Sequence, residues 1–211
     1  MRIMCLVAAC LLCVANPAAA GLVLSVDLDP LLPGVQSSRA YSIGETVQAS
    51  FILELTAPTR ISAYSFSVRY DTTELTFVTR SESAPNITGW SETNPNSAGS
   101  ASGLLFNFDA FGPTLVGPRG PFVVGTTSFT AIAPSGSSGE LDIEVGAFNP
   151  VAGFDGFLND ANPPQLLTPN EVSYVSASVN AVPEVSSTSA ILFGCAACFV
   201  RRKRRDNPVP C

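Results

Sequence analysis

The sequence predicts an all-β fold, a sandwich of about eight to nine short antiparallel strands flanked by two appendages. Three observations carry that prediction. Seventeen prolines and sixteen glycines in 211 residues, with only 13% charged residues, suit many strands joined by turns better than helices. Segment after segment alternates apolar and polar residues with period two, the mark of a half-buried strand. Ser/Gly-rich stretches without periodicity punctuate those segments at loop-like intervals.

The first 20 residues, MRIMCLVAACLLCVANPAAA, carry one positive charge at Arg2, an apolar run and small residues at Ala18 and Ala20, which is a secretory signal peptide with cleavage expected after Ala20. Its apolar run falls well short of the roughly 20 residues a permanent spanning helix needs. A lipobox reading of Val7-Ala8-Ala9-Cys10 leaves scarcely any room for a hydrophobic region before the cysteine.

Residues 21–181 form the predicted sandwich domain. Residues 22–28 open it. In ETVQASFILEL, residues 45–55, Val47, Ala49, Phe51, Leu53 and Leu55 share one side, with Ile52 the exception. In SAYSFSVRY, residues 62–70, Tyr64, Phe66, Val68 and Tyr70 oppose Ser65, Ser67 and Arg69, so these two strands should pair or face each other. Further strands are expected at 75–79, 104–109, 122–131, 141–148 and 172–179. Residues 93–103, 111–120 and 133–139 read as loops, and 153–169, with three prolines, as the longest irregular stretch.

Charge and chemistry narrow the function. Within residues 21–182 five arginines face fifteen carboxylates and there is no lysine, a net charge near −10 that repels nucleic acid and anionic lipid surfaces. The six cysteines all lie outside this segment, at 5, 10, 13, 195, 198 and 211, so no disulfide staples the domain. Cys195 and Cys198 sit within an apolar run and read as small filler rather than a metal or redox pair. The chain has no histidine, which excludes Ser-His-Asp and Cys-His catalysis and His-ligated metals. A carboxylate-only glycosidase could draw on Asp71, Glu74, Asp109, Glu140, Asp142 and Glu144. Asp142 and Glu144 alternate with Leu141, Ile143 and Val145, as on the wet face of a strand, and Asp109 reads as a turn former, so no enzyme is expected.

Two binding features stand out. Asp155, Asn159, Asp160 and Asn162 offer hard oxygen ligands for calcium, though not at EF-hand spacing, and turn chemistry explains them as well. Trp90, the single tryptophan, lies beside the Asn86-Ile87-Thr88 sequon and reads either as a sugar-stacking contact or as packing over the sandwich edge.

Gly44-Glu45-Thr46-Val47, the strand after it, the run from Ile61 through Asp71 and then Leu75 resemble the first half of the cohesin-like domains of bacterial exported proteins. Residues 103–109 followed by 127–131 are similar to their second half. In that pattern Tyr70 ends a strand, Asp71 starts a turn and Leu75 returns to the core. The resemblance implies a cohesin-like, jelly-roll type sandwich that binds protein modules or serves as an adhesive surface unit. A carbohydrate-binding module of an exopolysaccharide matrix is the alternative.

The tail, residues 182–211, joins Val182-Pro183-Glu184 to a short apolar stretch and the basic block Arg201, Arg202, Lys203, Arg204 and Arg205. It resembles the PEP-CTERM sorting signal, which implies an exosortase as processing partner and delivery to the cell surface or extracellular matrix. Val185 stands where that motif usually has Pro, and six residues follow the basic block. Residues 185–200 would span about 24 Å as a hydrophobic helix, less than a hydrocarbon core of roughly 30 Å. That length suits a transient hold on the membrane better than a permanent anchor.

Overall fold

The computed structural model describes residues 21–81, 86–92, 99–101, 103–136 and 141–182. The expected signal peptide with Ala18 and Ala20, the tail beyond Val182 with its expected helix, and Glu140 lie outside the described residues.

Alternation along the chain becomes two packed sheets. Strands β1 (Leu22–Asp27), β3 (Thr46–Leu55), β5 (Leu75–Ser81), β9 (Arg119–Ala131) and β12 (Val172–Val175) form one sheet in the order β12-β1-β3-β9-β5. The second has the order β10-β4-β8-β6, built from β4 (Arg60–Tyr70), β6 (Ser91–Glu92), β8 (Leu104–Val116) and β10 (Ile143–Gly146). To it β7 (Gly99–Ala101) adds on β8 and β11 (Gly156–Leu158) on β4. A separate pair joins β2 (Ser38–Ser42) to β13 (Ser178–Val182). Most neighbours are antiparallel, while β1 with β12 and β2 with β13 are parallel. Among the described residues no helix is long and apolar enough to cross a membrane.

The expected strands occur, joined by the short β2, β6 and β7, of which β7 pairs with β8 from within the 93–103 stretch that reads as a loop. Three further differences follow from the pairing. The 172–179 segment divides into β12 and β13, because its halves pair with different partners, β1 and β2. Residues 111–120, expected as a connector, instead extend β8 and begin β9, so the chain turns from one sheet to the other within Gly117 and Pro118. The 153–169 stretch contributes β11, whose Phe157 pairs with Tyr64 and is fully buried. Strands β3 and β4 do face each other, one in each sheet.

Aromatic rings join the sheets. Phe51 of β3 meets Phe66 of β4 edge-on at 5.5 Å and Phe108 of β8 at 5.1 Å, while Phe66 and Phe108 stack at 4.9 Å. Gly125 of β9 makes room for them: a Cβ there would lie 3.0 Å from Phe108 and 3.2 Å from Phe51. Leu22, Leu24, Val26, Val47, Ala49, Leu53 and Phe129 complete the buried inner face of the first sheet. The β4–β5 corner follows the sequence reading: Asp71 accepts the amide of Thr73 on its side chain and that of Leu75 on its carbonyl, and Leu75 is buried.

Removing a ring from a core with no covalent staple should cost its burial plus a cavity. Phe66→Ala is expected to destabilise the fold by about 3–5 kcal/mol, read as a lowered denaturant midpoint at unchanged m-value.

Candidate binding site

Alternation puts Ala63, Ser65 and Ser67 of β4 on the face of the second sheet turned away from the core, since Tyr64, Phe66 and Val68 point inward. Register then brings Phe111 opposite Ala63 and Asp109 opposite Ser65 on that outer face. Asp109 thus sits inside a strand rather than at a turn. The 153–169 segment folds over this face and is held at both ends.

At one end Asp155 accepts hydrogen bonds from Ser65 Oγ (3.0 Å), Ser67 Oγ (2.6 Å) and the amide of Asn149 (2.9 Å). Asn149 in turn donates to the side chain of Asn107, a β8 residue with φ 64°. Arg80, reaching from β5 in the other sheet, donates to the carbonyls of Phe106 and Asn107 and lies 3.6 Å over the Phe108 ring. At the other end Asp160 forms a forked ion pair with Arg60, whose hydrogen bonds hold the carboxyl below the usual aspartate range. Between them, Asn159 Oδ1 accepts the amides of Ala161 and Gln165, closing the turn.

These contacts decide where three of the four residues of the calcium expectation go, and the fourth, Asn162, is exposed in the same segment. Asp155 is fastened at Ser65 and Ser67 and Asp160 at Arg60, positions five or more residues apart along one strand, about 16 Å at the usual rise. Asp155, Asn159 and Asp160 therefore each serve a separate hydrogen-bonded anchor, and the structure does not draw them into one ligand set.

The sugar-stacking expectation for Trp90 meets a buried ring. Trp90 is 6% exposed, stacked on Tyr64 at 5.7 Å and 17°, with its indole N–H donated to the carbonyl of Pro113 at 3.0 Å. Gly112 backs it so closely that a Cβ there would lie 2.5 Å from two indole atoms. Of the two readings the structure gives packing; Asn86, beside it, is exposed. Burial also raises the pKa of Tyr64, whose hydroxyl donates to the carbonyl of Val124 at 3.4 Å. Val182 belongs to β13, opposite Ser42, and is exposed.

What the outer face offers is an apolar hollow of about 360 Å³ lined by Tyr64, Ser65, Asp109, Ala110, Phe154 and Leu166. Phe154 (47% exposed) and Leu166 (49%) stand on its wall, and Phe111 (52%) lies beside it on the same sheet face. Sequence reasoning missed this patch, because Phe154 and Leu166 sit in a segment without periodicity. The local signal that could have found it is Phe154 itself, an apolar ring in a Gly- and Asp-rich segment.

No family model matches this chain, and no curated protein does. Among solved structures it is similar to the sixth cohesin of scaffoldin B from Acetivibrio cellulolyticus, solved with a Cel5 dockerin mutant, at 19% identity and TM-score 0.44 over 77% of this chain and all of that one. It is also similar to the type II cohesin A11 from Bacteroides cellulosolvens (14% identity, TM-score 0.48, 77% of this chain and 99% of that one). A third is the cohesin module of a family 33 glycoside hydrolase from Clostridium perfringens (11% identity, TM-score 0.44, 78% and 99%). Likeness at this level carries no statement about ligand or partner.

Because Gly112 packs flat against the only tryptophan, Gly112→Ala should push the indole off Tyr64. A red-shifted tryptophan emission in the folded protein, with about 1–3 kcal/mol lost by overpacking, is the expected outcome of fluorescence and denaturant titration.

Proposed function

We propose that this chain is an exported structural or adhesive module that binds another protein through the outer face of its β4/β8 sheet. The observation that carries the reading is a hollow walled by exposed Phe154 and Leu166, with exposed Phe111 paired opposite Ala63 of its lining, on a rigidly held face. Solvent-facing aromatic and aliphatic groups gathered around a concavity are the usual anchors of a protein interface. The face is built for standing still: the segment that bears Phe154 is tied down by Asp155 at one end and Asp160 at the other. Preorganisation of this kind lowers the ordering cost of association.

Catalysis finds little support. The chain has no histidine, the described domain residues include no cysteine, and the hollow is mostly apolar with Asp109 its one carboxylate. The carbohydrate-binding alternative loses its best residue with the burial of Trp90. The strongly acidic domain favours a partner with basic residues around an apolar centre.

Export and sorting rest on the two ends of the sequence. The signal sequence ending at Ala20 sends the chain out. The tail, from Val182-Pro183-Glu184 to the block of Arg201, Arg202, Lys203, Arg204 and Arg205, holds it in the membrane for an exosortase-type enzyme and then releases it to the surface or matrix.

Photo-crosslinking in the native cells tests the binding face. A crosslinker at position 154 is expected to give a discrete protein adduct that Phe111→Ser weakens at least tenfold. The same group at Val78, exposed on the other sheet, should give none. Equal labelling from both positions, or adducts insensitive to Phe111→Ser, would contradict the assigned face.

A further inference from the structure

Away from the hollow, three acidic side chains meet where the β4–β5 turn, the segment leading into β10 and strand β13 come together. Asp71, Glu74 and Asp142 each bring a carboxylate oxygen to within 4.8 Å of the other two. Glu74 and Asp142 are 4% and 3% exposed, and Asp71 is partly buried. Asp142 is thus not on the wet face of a strand, as its alternation with Leu141 and Ile143 suggests. It precedes β10, and its carboxylate turns inward to accept the amide of Val179.

The backbone fixes all three. Asp71 donates its amide to the carbonyl of Asp142, Ile132 donates to the carbonyl of Glu74, and Asp142 donates to that of Ala177. Glu74 uses one carboxylate oxygen to accept the amide of Gly136. Its other oxygen, Oε2, is buried without any hydrogen-bond partner. A buried carboxylate oxygen left unsatisfied beside two further carboxylates is costly unless positive charge or a proton stands between them. Meanwhile the five arginines of the domain lie elsewhere: Arg39 with Asp29, Arg60 with Asp160, Arg69 over Phe148, Arg80 on the carbonyls of β8 and Arg119 opposite Leu55 at the start of β9.

We propose that Asp71, Glu74 and Asp142 bind one calcium ion, with Glu74 Oε2 as the ligand that is otherwise unexplained. The donor set is all oxygen and anionic, which suits a hard divalent cation. Three carboxylates supplied by the chain itself suit calcium, which takes about six to eight oxygens in flexible geometry, better than magnesium. Magnesium demands a near-ideal octahedron, keeps several waters and is usually held by one or two carboxylates. The site is distinct from the 155–162 loop. It ties the turn that leads into the first sheet to the segment that enters the second and to β13, and so clasps the sandwich where a disulfide is lacking.

The full-length chain, stripped with a chelator, is titrated with calcium chloride by calorimetry and melted with and without the ion, alongside Glu74→Gln and Asp71→Asn. One ion per chain is expected, with Tm raised by roughly 5–10 °C at calcium about a hundredfold above the dissociation constant. Both variants should lose that shift while melting, without metal, at or above the stripped wild type, because each removes a crowded charge. If Glu74→Gln fails to fold, the partly exposed Asp71→Asn decides alone. No calcium heat and no shift in the wild type, a melt that responds to pH but not to calcium, a preference for magnesium, or a shift that survives both variants would each overturn the assignment.

Discussion

The contact of Phe51 with Phe66 and Phe108 is the constraint on which the rest of this molecule depends. One ring comes from each of the strands β3, β4 and β8, and the three meet across the space between the sheets. The described domain has no cysteine, so burial rather than covalent linkage must hold the sheets together. Everything on the outside inherits its position from that packing. Once Phe66 points inward, Ser65 and Ser67 must point outward, and it is these two hydroxyls that receive Asp155.

The same constraint explains how a long loop becomes a surface. Arg80 crosses from the first sheet to the backbone of β8 beside Phe108, fixing the local irregularity at Asn107. Asn107 then meets Asn149, and Asn149 meets Asp155, so a chain of hydrogen bonds runs from the edge of the core to the loop carrying Phe154. Arg60 and Asp160 close the other end. Core, loop and exposed aromatic face are successive links of one mechanical series.

Much of the architecture was legible in the sequence, because period-two alternation survives folding wherever one face is buried. The strands through Val47, Phe51, Tyr64 and Phe66 are cases of this. What was not legible depends on partners far away in sequence. Nothing local shows that residues 172–179 divide between two neighbours, or that Gly112 is a glycine because Trp90 lies against it. Asp142 shows the limit most sharply: alternation assigns it to solvent, yet the amide of Val179 and the carboxylates of Asp71 and Glu74 make it interior. The hollow was hidden for a related reason, since Ala63 and Ala110 acquire it only through strand pairing and the overlying loop.

Outside the sandwich the functional reading rests on the two terminal addresses proposed above, and a single measurement tests them together. Intact mass and terminal peptides should be determined for the protein recovered from its native cells, separately from membrane and extracellular matrix. A matrix form that begins at Gly21 and ends near Pro183 is the predicted result, for a domain exported, cut free and placed where its exposed face can meet a partner. A chain that keeps Cys211 and stays entirely with the membrane would contradict it, making the tail an anchor rather than an address.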